Sequence, residues 1–138
     1  MKISILCFDL ASNAASRAFL LAKLLEPLAD VEVVGPQYGP AVWDPIASED
    51  IAWRTVPGRK FPRFAASLST LLAMSDGDLV YACKPRLTSA GIGYLARLRT
   101  RRPLLLDIDD WEVGFFLRSG KIRALADSMD ITRQAREA

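Results

Sequence analysis

Short apolar runs of strand length alternate with segments in which apolar residues recur at helical spacing. The strand-like runs are residues 2–8, 31–34, 51–56, 79–83 and 104–108. The first helical segment begins at Ser12 or Asn13 and ends near Leu28, and two more follow at residues 63–75 and 88–99. From about residue 120 the tail is mostly helical in character, with no further strand-like run. This alternation predicts an α/β fold in which helices join parallel strands.

The order of the elements also predicts how the strands lie in the sheet. Right-handed crossovers give the order 3-2-1-4-5, that of a Rossmann-like doubly wound sheet with helices on both faces. Ligands of such sheets bind beyond the carboxyl ends of the strands. The polar loops expected there are Asp9 to Asn13, Lys84-Pro85-Arg86 and Asp109 to Glu112. The sequence therefore predicts a binding cleft at this edge.

Glycine, proline and cysteine residues refine the predicted elements. Gly35-Pro36 is expected to stop the second strand. Gly91 and Gly93 are expected to let the third helix pack close to the sheet. Cys7 and Cys83 each end an apolar run and are predicted to be buried free thiols, since two cysteines are too few for a disulfide scaffold.

The composition bounds the class of protein. With 138 residues, 51% of them hydrophobic, the chain can form one compact domain. A formal net charge of +2 is too small to imply nucleic-acid binding. We expect a cytoplasmic chain, because it shows neither a secretory signal nor an apolar run of membrane-spanning length. The absence of histidine excludes Ser-His-Asp triads and His-ligated metal sites if the chain acts alone.

The loop after the first strand contains no glycine, although a dinucleotide fold needs glycines there to approach a pyrophosphate. NAD and FAD binding are therefore not expected. Ser12 or Asn13 would cap the following helix. The same helix N-terminus could instead attract an anion or a sugar hydroxyl.

Two charged segments follow the fourth and fifth strands. Lys84 and Arg86 would bind a phosphate or carboxylate, or else form an ordinary solvated loop. The cluster of Asp107, Asp109 and Asp110 is not favoured as a metal site, because three acids in an extended segment cannot all face one ion. We expect Asp107 to face a helix layer or cap a turn, and the other two to line the cleft.

Two basic segments stand apart from this cleft. Residues 59–64 interleave cations with aromatic residues, and residues 97–102 place four arginines at the end of a helix. Both are interpreted as solvated surface. The alternative is contact with an acceptor or a lipid head group for residues 59–64, and with an acidic membrane surface for residues 97–102.

With these motifs placed, the chain resembles the N-terminal domain of GT-B-fold glycosyltransferases of the family-four, or group 1, type. The likeness begins with the opening strand and a helix that carries Arg17. It continues in residues 78–86 (DLVYACKPR) and 104–112 (LLLDIDDWE), which are similar to conserved stretches of that family. Together these segments cover most of residues 1–112 in order and spacing.

The resemblance implies two Rossmann-like domains, an acceptor-side N-terminal one and a C-terminal one that holds the nucleotide sugar. It also implies retention of anomeric configuration without a metal or other cofactor. This chain would be the N-terminal domain, over residues 1–138, lacking its last strands and the donor domain. It is therefore expected to be inactive alone. It departs from the family in having neither a glycine-rich first loop nor a histidine.

Site residues are likewise implied by the resemblance. Asp109 and Asp110 are the predicted catalytic residues, which bind or orient acceptor hydroxyls. Ser12, Asn13 and Arg17 are expected near the interdomain cleft, and Lys84 and Arg86 are expected to meet an anionic acceptor or phosphate. Trp111, as a packing or stacking surface, and Glu112 complete the predicted substrate-binding set.

The predicted partners are a nucleotide-sugar donor and an unknown acceptor, with no nucleic acid. Peripheral contact with the inner face of a membrane and a homo-oligomer through an exposed sheet edge are further expectations. The alternative function is a stand-alone flavodoxin-like binding or interaction domain without catalysis. An apolar patch left by missing strands would distinguish the two, because a complete domain should not expose one.

Overall fold

A computed structural model describes residues 1–60 and 62–109 and confirms the predicted fold class. Five parallel strands lie in the order β3-β2-β1-β4-β5. The strands are β1 Lys2–Leu6, β2 Asp30–Gln37, β3 Ala52–Pro57, β4 Leu79–Cys83 and β5 Leu104–Asp107. The helices are α1 Ala14–Leu25, α2 Ala65–Met74 and α3 Ile92–Thr100, with a 3₁₀ turn at Asp44–Ile46 and a π-helical turn at Leu87–Gly91.

The chain divides into two compact units, Met1–Ile108 and Asp109–Ala138. The first unit contains all five strands. Of the second, the described residues include only Asp109, so the predicted helical tail and Asp110, Trp111 and Glu112 lie outside them. In the described part of the chain no helix is long and apolar enough to cross a membrane.

Alternate residues of β1, and Cys7 directly after it, enter two separate cores, as a strand covered on both faces requires. Ile3, Ile5 and Cys7 pack under α1. Leu6 packs instead with the residues of α2 and the start of α3. Both cysteines are buried free thiols, which confirms the prediction, and burial raises the pKa of Cys7 to about 12.

The contact of α3 with the sheet depends on Gly93. A Cβ there would lie 2.7 Å from Cδ1 of Leu104 and 3.4 Å from Cδ1 of Leu6. The predicted close approach is therefore confirmed at this glycine. At Gly91 an added Cβ would meet only Leu87 of the same π-helical turn.

The prediction that Gly35-Pro36 stops the second strand is wrong. Strand β2 continues to Gln37 and pairs Pro36 with Val56 of β3. Proline is tolerated because the pairing with β1 has already ended at Val34, so one side of β2 no longer needs that N–H. Glycine is required just before it, since a Cβ at Gly35 would lie 2.3 Å from the Cys7 carbonyl oxygen.

A charged cluster fastens the amino-terminal edge of the sheet, where β1 and β4 begin. The Ser4 hydroxyl donates to Glu32 Oε1 at 2.7 Å and accepts from the Gly77 N–H at 2.8 Å. Glu32 is only 5% exposed, and Arg54 Nη1 lies 2.9 Å from its Oε2. Buried carboxylates need such partners because an isolated buried charge is costly.

Lys2 and Asp76 complete this group, which we call the amino-edge cluster (Lys2, Ser4, Glu32, Arg54 and Asp76). Lys2 Nζ lies 2.6 Å from Asp76 Oδ1 and 3.1 Å from Glu32 Oε2. The hydrogen bond to Asp76 raises the pKa of Lys2, and the same bond lowers the pKa of Asp76. The cations and carboxylates at this edge therefore neutralise one another.

Candidate binding site at the carboxyl ends of the strands

The loop between β1 and α1 is held by Asp9. Its Oδ1 accepts the Ala11 N–H at 2.9 Å and the Tyr38 N–H at 3.2 Å. The second bond ties the loop to the end of β2. Partial burial and the nearby Asp9 raise the pKa of the Tyr38 phenol. Asp9 therefore fixes the shape of the first loop.

The remaining amides of this loop are also largely used within the protein. The N–H groups of residues 10, 11 and 14–16 all donate to protein oxygens. Asn13 occupies the N-cap position of α1 but makes no side-chain cap bond, whereas the Ser12 hydroxyl accepts a long, 3.4 Å bond from the Ala14 N–H. A loop that binds pyrophosphate instead leaves its amides to the ligand. The geometry thus agrees with the missing glycines.

Arg17 of α1 reaches across to the end of β5. Its Nε lies 2.7 Å from Oδ2 of Asp107 and its Nη2 lies 2.9 Å from Oδ1, a bidentate pair. The Asp107 side chain is 13% exposed. As predicted, Asp107 faces a helix layer. Burial, followed by the charge of Asp107, raises the pKa of Tyr81 on the neighbouring strand.

The loop after β4 is fastened to the same residue. The Lys84 N–H donates to the Asp107 carbonyl at 2.9 Å, and the Lys84 carbonyl accepts the Ser89 hydroxyl at 2.8 Å. Lys84 has a φ of 68°, in the left-handed region that non-glycine residues rarely adopt. Such strain persists only where the surrounding structure holds the residue in place. Strained residues of this kind are frequent at functional sites.

Arg86, the second cation of this loop, lies against the end of β1. Its guanidinium carbon is 5.2 Å from the centroid of the Phe8 ring, within cation–π range. The Thr88 hydroxyl donates to the Phe8 carbonyl at 2.9 Å. The π-helical turn after β4 therefore contacts the end of β1. These two strands are the neighbours at which the strand order was predicted to reverse.

Five of the nine predicted site residues lie at the carboxyl edge of the sheet within the first unit: Ser12, Asn13, Arg17, Lys84 and Arg86. Asp109 is exposed and belongs to the second unit. The roles of Asp109, Asp110, Trp111 and Glu112 stay predictions. Sequence reasoning did not anticipate Phe8 as the aromatic surface under Arg86, or Asp107 as the anchor of Arg17.

A separate cavity of about 440 Å³ lies in the loop between β3 and α2. Its lining residues are Gly58, Arg59, Lys60, Pro62 and Arg63. Phe61 of the same segment lies outside the described residues. In the parts of the chain that are described, no group of three or more carboxylate or thiol side chains could hold a metal ion.

No protein-family model, no curated protein and no solved structure matches the chain.

Proposed function

We propose that the chain is the acceptor-side, N-terminal domain of a retaining glycosyltransferase and is catalytically silent alone. The parent enzyme would transfer a sugar from a nucleotide sugar to an acceptor. The observation that carries this proposal is the double attachment at Asp107. Arg17 binds its carboxylate and the Lys84 amide binds its carbonyl, so two cationic elements are fixed at the carboxyl edge of the sheet, and the acidic segment 109–112 follows Asp107 in the sequence.

The first loop supports a division of labour between two domains. Because its amides are largely used internally, it is poorly suited to a nucleotide pyrophosphate. The donor nucleotide would then bind mainly to another domain. In this proposal Lys84 and Arg86 would bind an anionic group of the acceptor, and the side chains of Ser12 and Asn13 would bind sugar hydroxyls.

The edge strand β5 also favours a sheet that continues in the parent protein. Leu105 is 50% exposed and Leu106 is 46% exposed. Since successive residues of a strand point to opposite faces, neither face of β5 is fully covered. Exposed leucines at the edge of the sheet support a parent protein in which further chain covers them, because a complete domain should not expose an apolar patch.

In this proposal the protein supplies positioning and charge. Asp109 and Asp110 would accept hydrogen bonds from acceptor hydroxyls and orient them toward the donor sugar. Charge on the leaving group would be offset by fixed protein groups, which is an effective form of catalysis in a site closed to water.

The test compares the 138-residue chain with the same chain extended by any coding sequence that follows it in its gene. Both are incubated with a panel of UDP- and GDP-sugars, and release of nucleotide and transfer of sugar are measured. Turnover by the extended protein alone, abolished by Asp109→Asn or Asp110→Asn, supports the proposal. Turnover by neither, with a monomeric and cooperatively folding short chain, overturns it in favour of the stand-alone binding domain.

A further inference from the structure

Positive charge is concentrated in one part of the chain. Residues 58–102 contain nine lysine and arginine residues and two aspartates, a net charge of +7. The other 93 residues carry nine cations and fourteen carboxylates, a net charge of −5. The small overall charge therefore conceals a basic layer made of α2, α3 and their loops, opposite the α1 layer across the sheet.

The two aspartates of this segment already have partners within the fold. Asp76 is paired with Lys2 and Arg54 in the amino-edge cluster. Asp78 accepts the backbone N–H of Lys2. Both carboxylates are thus engaged at the amino-terminal edge of the sheet.

The upper end of the layer is basic. Arg59, Lys60 and Arg63 are exposed and line the 440 Å³ cavity that precedes α2. None of the three is in an ion pair with another described residue. The first turn of α2 contains no acidic residue, so the positive end of the helix dipole adds to their charge.

An apolar groove of about 160 Å³ continues from this basic end along the seam between α2 and α3. Leu68 of α2 and Leu87 and Leu95 from the π-helical turn and α3 line it. Leu98 follows Leu95 on the same side of α3, since residues three apart share a helix face. Leu87 is 71% exposed and Leu98 is 61% exposed.

The seam becomes basic again at its lower end. Arg99 and Arg102 line a further cavity of about 400 Å³, together with Leu72 of α2, Ala96 of α3 and Asp76, whose carboxylate is paired with Lys2 and Arg54. Along the outer surface of the layer, a group of cations is therefore followed by leucines and then by a second group of cations. We call this surface the α2–α3 face.

We propose that the α2–α3 face docks on the surface of an anionic lipid bilayer. The leucines would enter the boundary between head groups and acyl chains, and the cations at both ends would contact lipid phosphates and carboxylates. A nucleic acid would match the cations, but it would leave Leu87 and Leu98 in water. A bilayer interface covers both kinds of side chain, which is why charge and apolar exposure together favour it.

This inference does not depend on the proposed function. A stand-alone binding domain and a glycosyltransferase domain could both dock in this way. Lipid binding needs no nucleotide sugar, so the failure of one proposal leaves the other intact.

The test is flotation of the 138-residue chain with two kinds of vesicle, one of phosphatidylcholine and one in which about a third of the lipid is phosphatidylglycerol. We expect binding to the anionic vesicles only. Arg63→Gln should weaken it about fivefold, and Arg59→Gln with Arg63→Gln about twenty-five-fold, since each cation near the surface contributes about one kcal/mol. Leu98→Ser should weaken it about tenfold.

Matched controls lie on the opposite layer. Leu24 of α1 is 71% exposed, like Leu87, and Lys23 precedes it. Leu24→Ser should leave vesicle affinity unchanged while Leu87→Ser lowers it, and Lys23→Gln should lower affinity less than twofold. Circular dichroism of each of these surface variants is used to check that it is folded.

Three results would overturn the proposal. The first is equal binding to neutral and anionic vesicles, or to neither. The second is an equal loss of vesicle affinity in the α1 variants and in the α2–α3 variants. The third is binding to a duplex DNA of random sequence at least as tight as to anionic vesicles, with no effect of Leu98→Ser, which would assign the face to nucleic acid instead.

Discussion

The amino-terminal edge of the sheet and the loop before α2 both carry clustered charges, but they use them in opposite ways. In the amino-edge cluster, Lys2 and Arg54 each lie within 3.2 Å of two carboxylates. In the loop before α2, Arg59, Lys60 and Arg63 form no ion pair with any other described residue.

The difference separates charges that hold the fold from charges that face a partner. A buried carboxylate such as Glu32 must be compensated inside the protein, so its partners are fixed by folding. Exposed cations are solvated and contribute little to stability. They remain available for an anionic surface. The same residue type therefore has a different role at each position.

Loss of Glu32 should produce the largest change in stability. Glu32→Ala leaves the Ser4 hydroxyl without its acceptor and removes a carboxylate that Lys2 and Arg54 share. We expect a loss of about 3 kcal/mol in the free energy of unfolding, measured with urea. Glu32→Gln, which keeps an acceptor for Ser4, should lose less. A loss below about 1 kcal/mol for Glu32→Ala would contradict the structural role of the cluster.

Arg17 tests whether the carboxyl edge also contains a structural ion pair. Arg17→Met removes both hydrogen bonds to the mostly buried carboxylate of Asp107. Because Arg17 itself is 42% exposed, we expect a loss of only about 1–2 kcal/mol. The stability of Arg17→Lys should fall between that of the parent protein and that of Arg17→Met. Lys23→Met, on the next turns of the same helix, is the control and should change stability by less than about 0.5 kcal/mol. An equal effect of the two methionine variants would refute this pairing.

Lys84 tests backbone strain at the carboxyl edge. Its φ of 68° suits glycine better than any residue with a Cβ. Lys84→Gly should therefore be more stable than Lys84→Ala by about 1 kcal/mol in thermal or urea unfolding. The comparison with alanine removes the effect of losing the ammonium group. If the glycine variant is the less stable of the two, the left-handed geometry does not store strain.

Asp76 should give the smallest effect, and one that depends on pH. The hydrogen bond from Lys2 lowers the pKa of Asp76, so its contribution to stability is present above the unfolded pKa of about 4 and is lost as pH falls through the lower folded value. At about pH 6, Asp76→Asn should be less stable than the parent by no more than about 1 kcal/mol, since the side chain is 46% exposed. Once the pH lies below the lowered folded pKa of Asp76, the difference should vanish. A difference that grows in acid would contradict this assignment.

Much of the fold could be predicted from the sequence because the apolar runs are regular. All five strands and their order were predicted, and β4 was predicted with its observed bounds, Leu79–Cys83. The error at Gly35-Pro36 has a tertiary cause. Whether a proline stops a strand depends on which neighbour still needs its N–H, and that is known only once β1 ends at Leu6.

The candidate site was harder to predict, for a similar reason. Lys84 and Arg86 were identified because they directly follow a strand. Their supports come from distant parts of the chain, the Asp107 carbonyl and the Phe8 ring. The pairing of Arg17 with Asp107 joins residues 90 positions apart. No local pattern encodes such contacts. The contrast between paired and exposed cations also requires the folded neighbours of each side chain.

The most direct measurement compares Arg54→Gln with Arg63→Gln, two changes that each remove one positive charge. The free energy of unfolding and the affinity of the folded protein for anionic vesicles are measured for both. We predict that Arg54→Gln loses about 1–3 kcal/mol of stability with vesicle affinity within twofold of the parent. Arg63→Gln should keep its stability within about 0.5 kcal/mol and lose about fivefold in affinity. Equal losses of stability, or equal losses of affinity, in the two variants would contradict the division between cations that hold the fold and cations that face a partner.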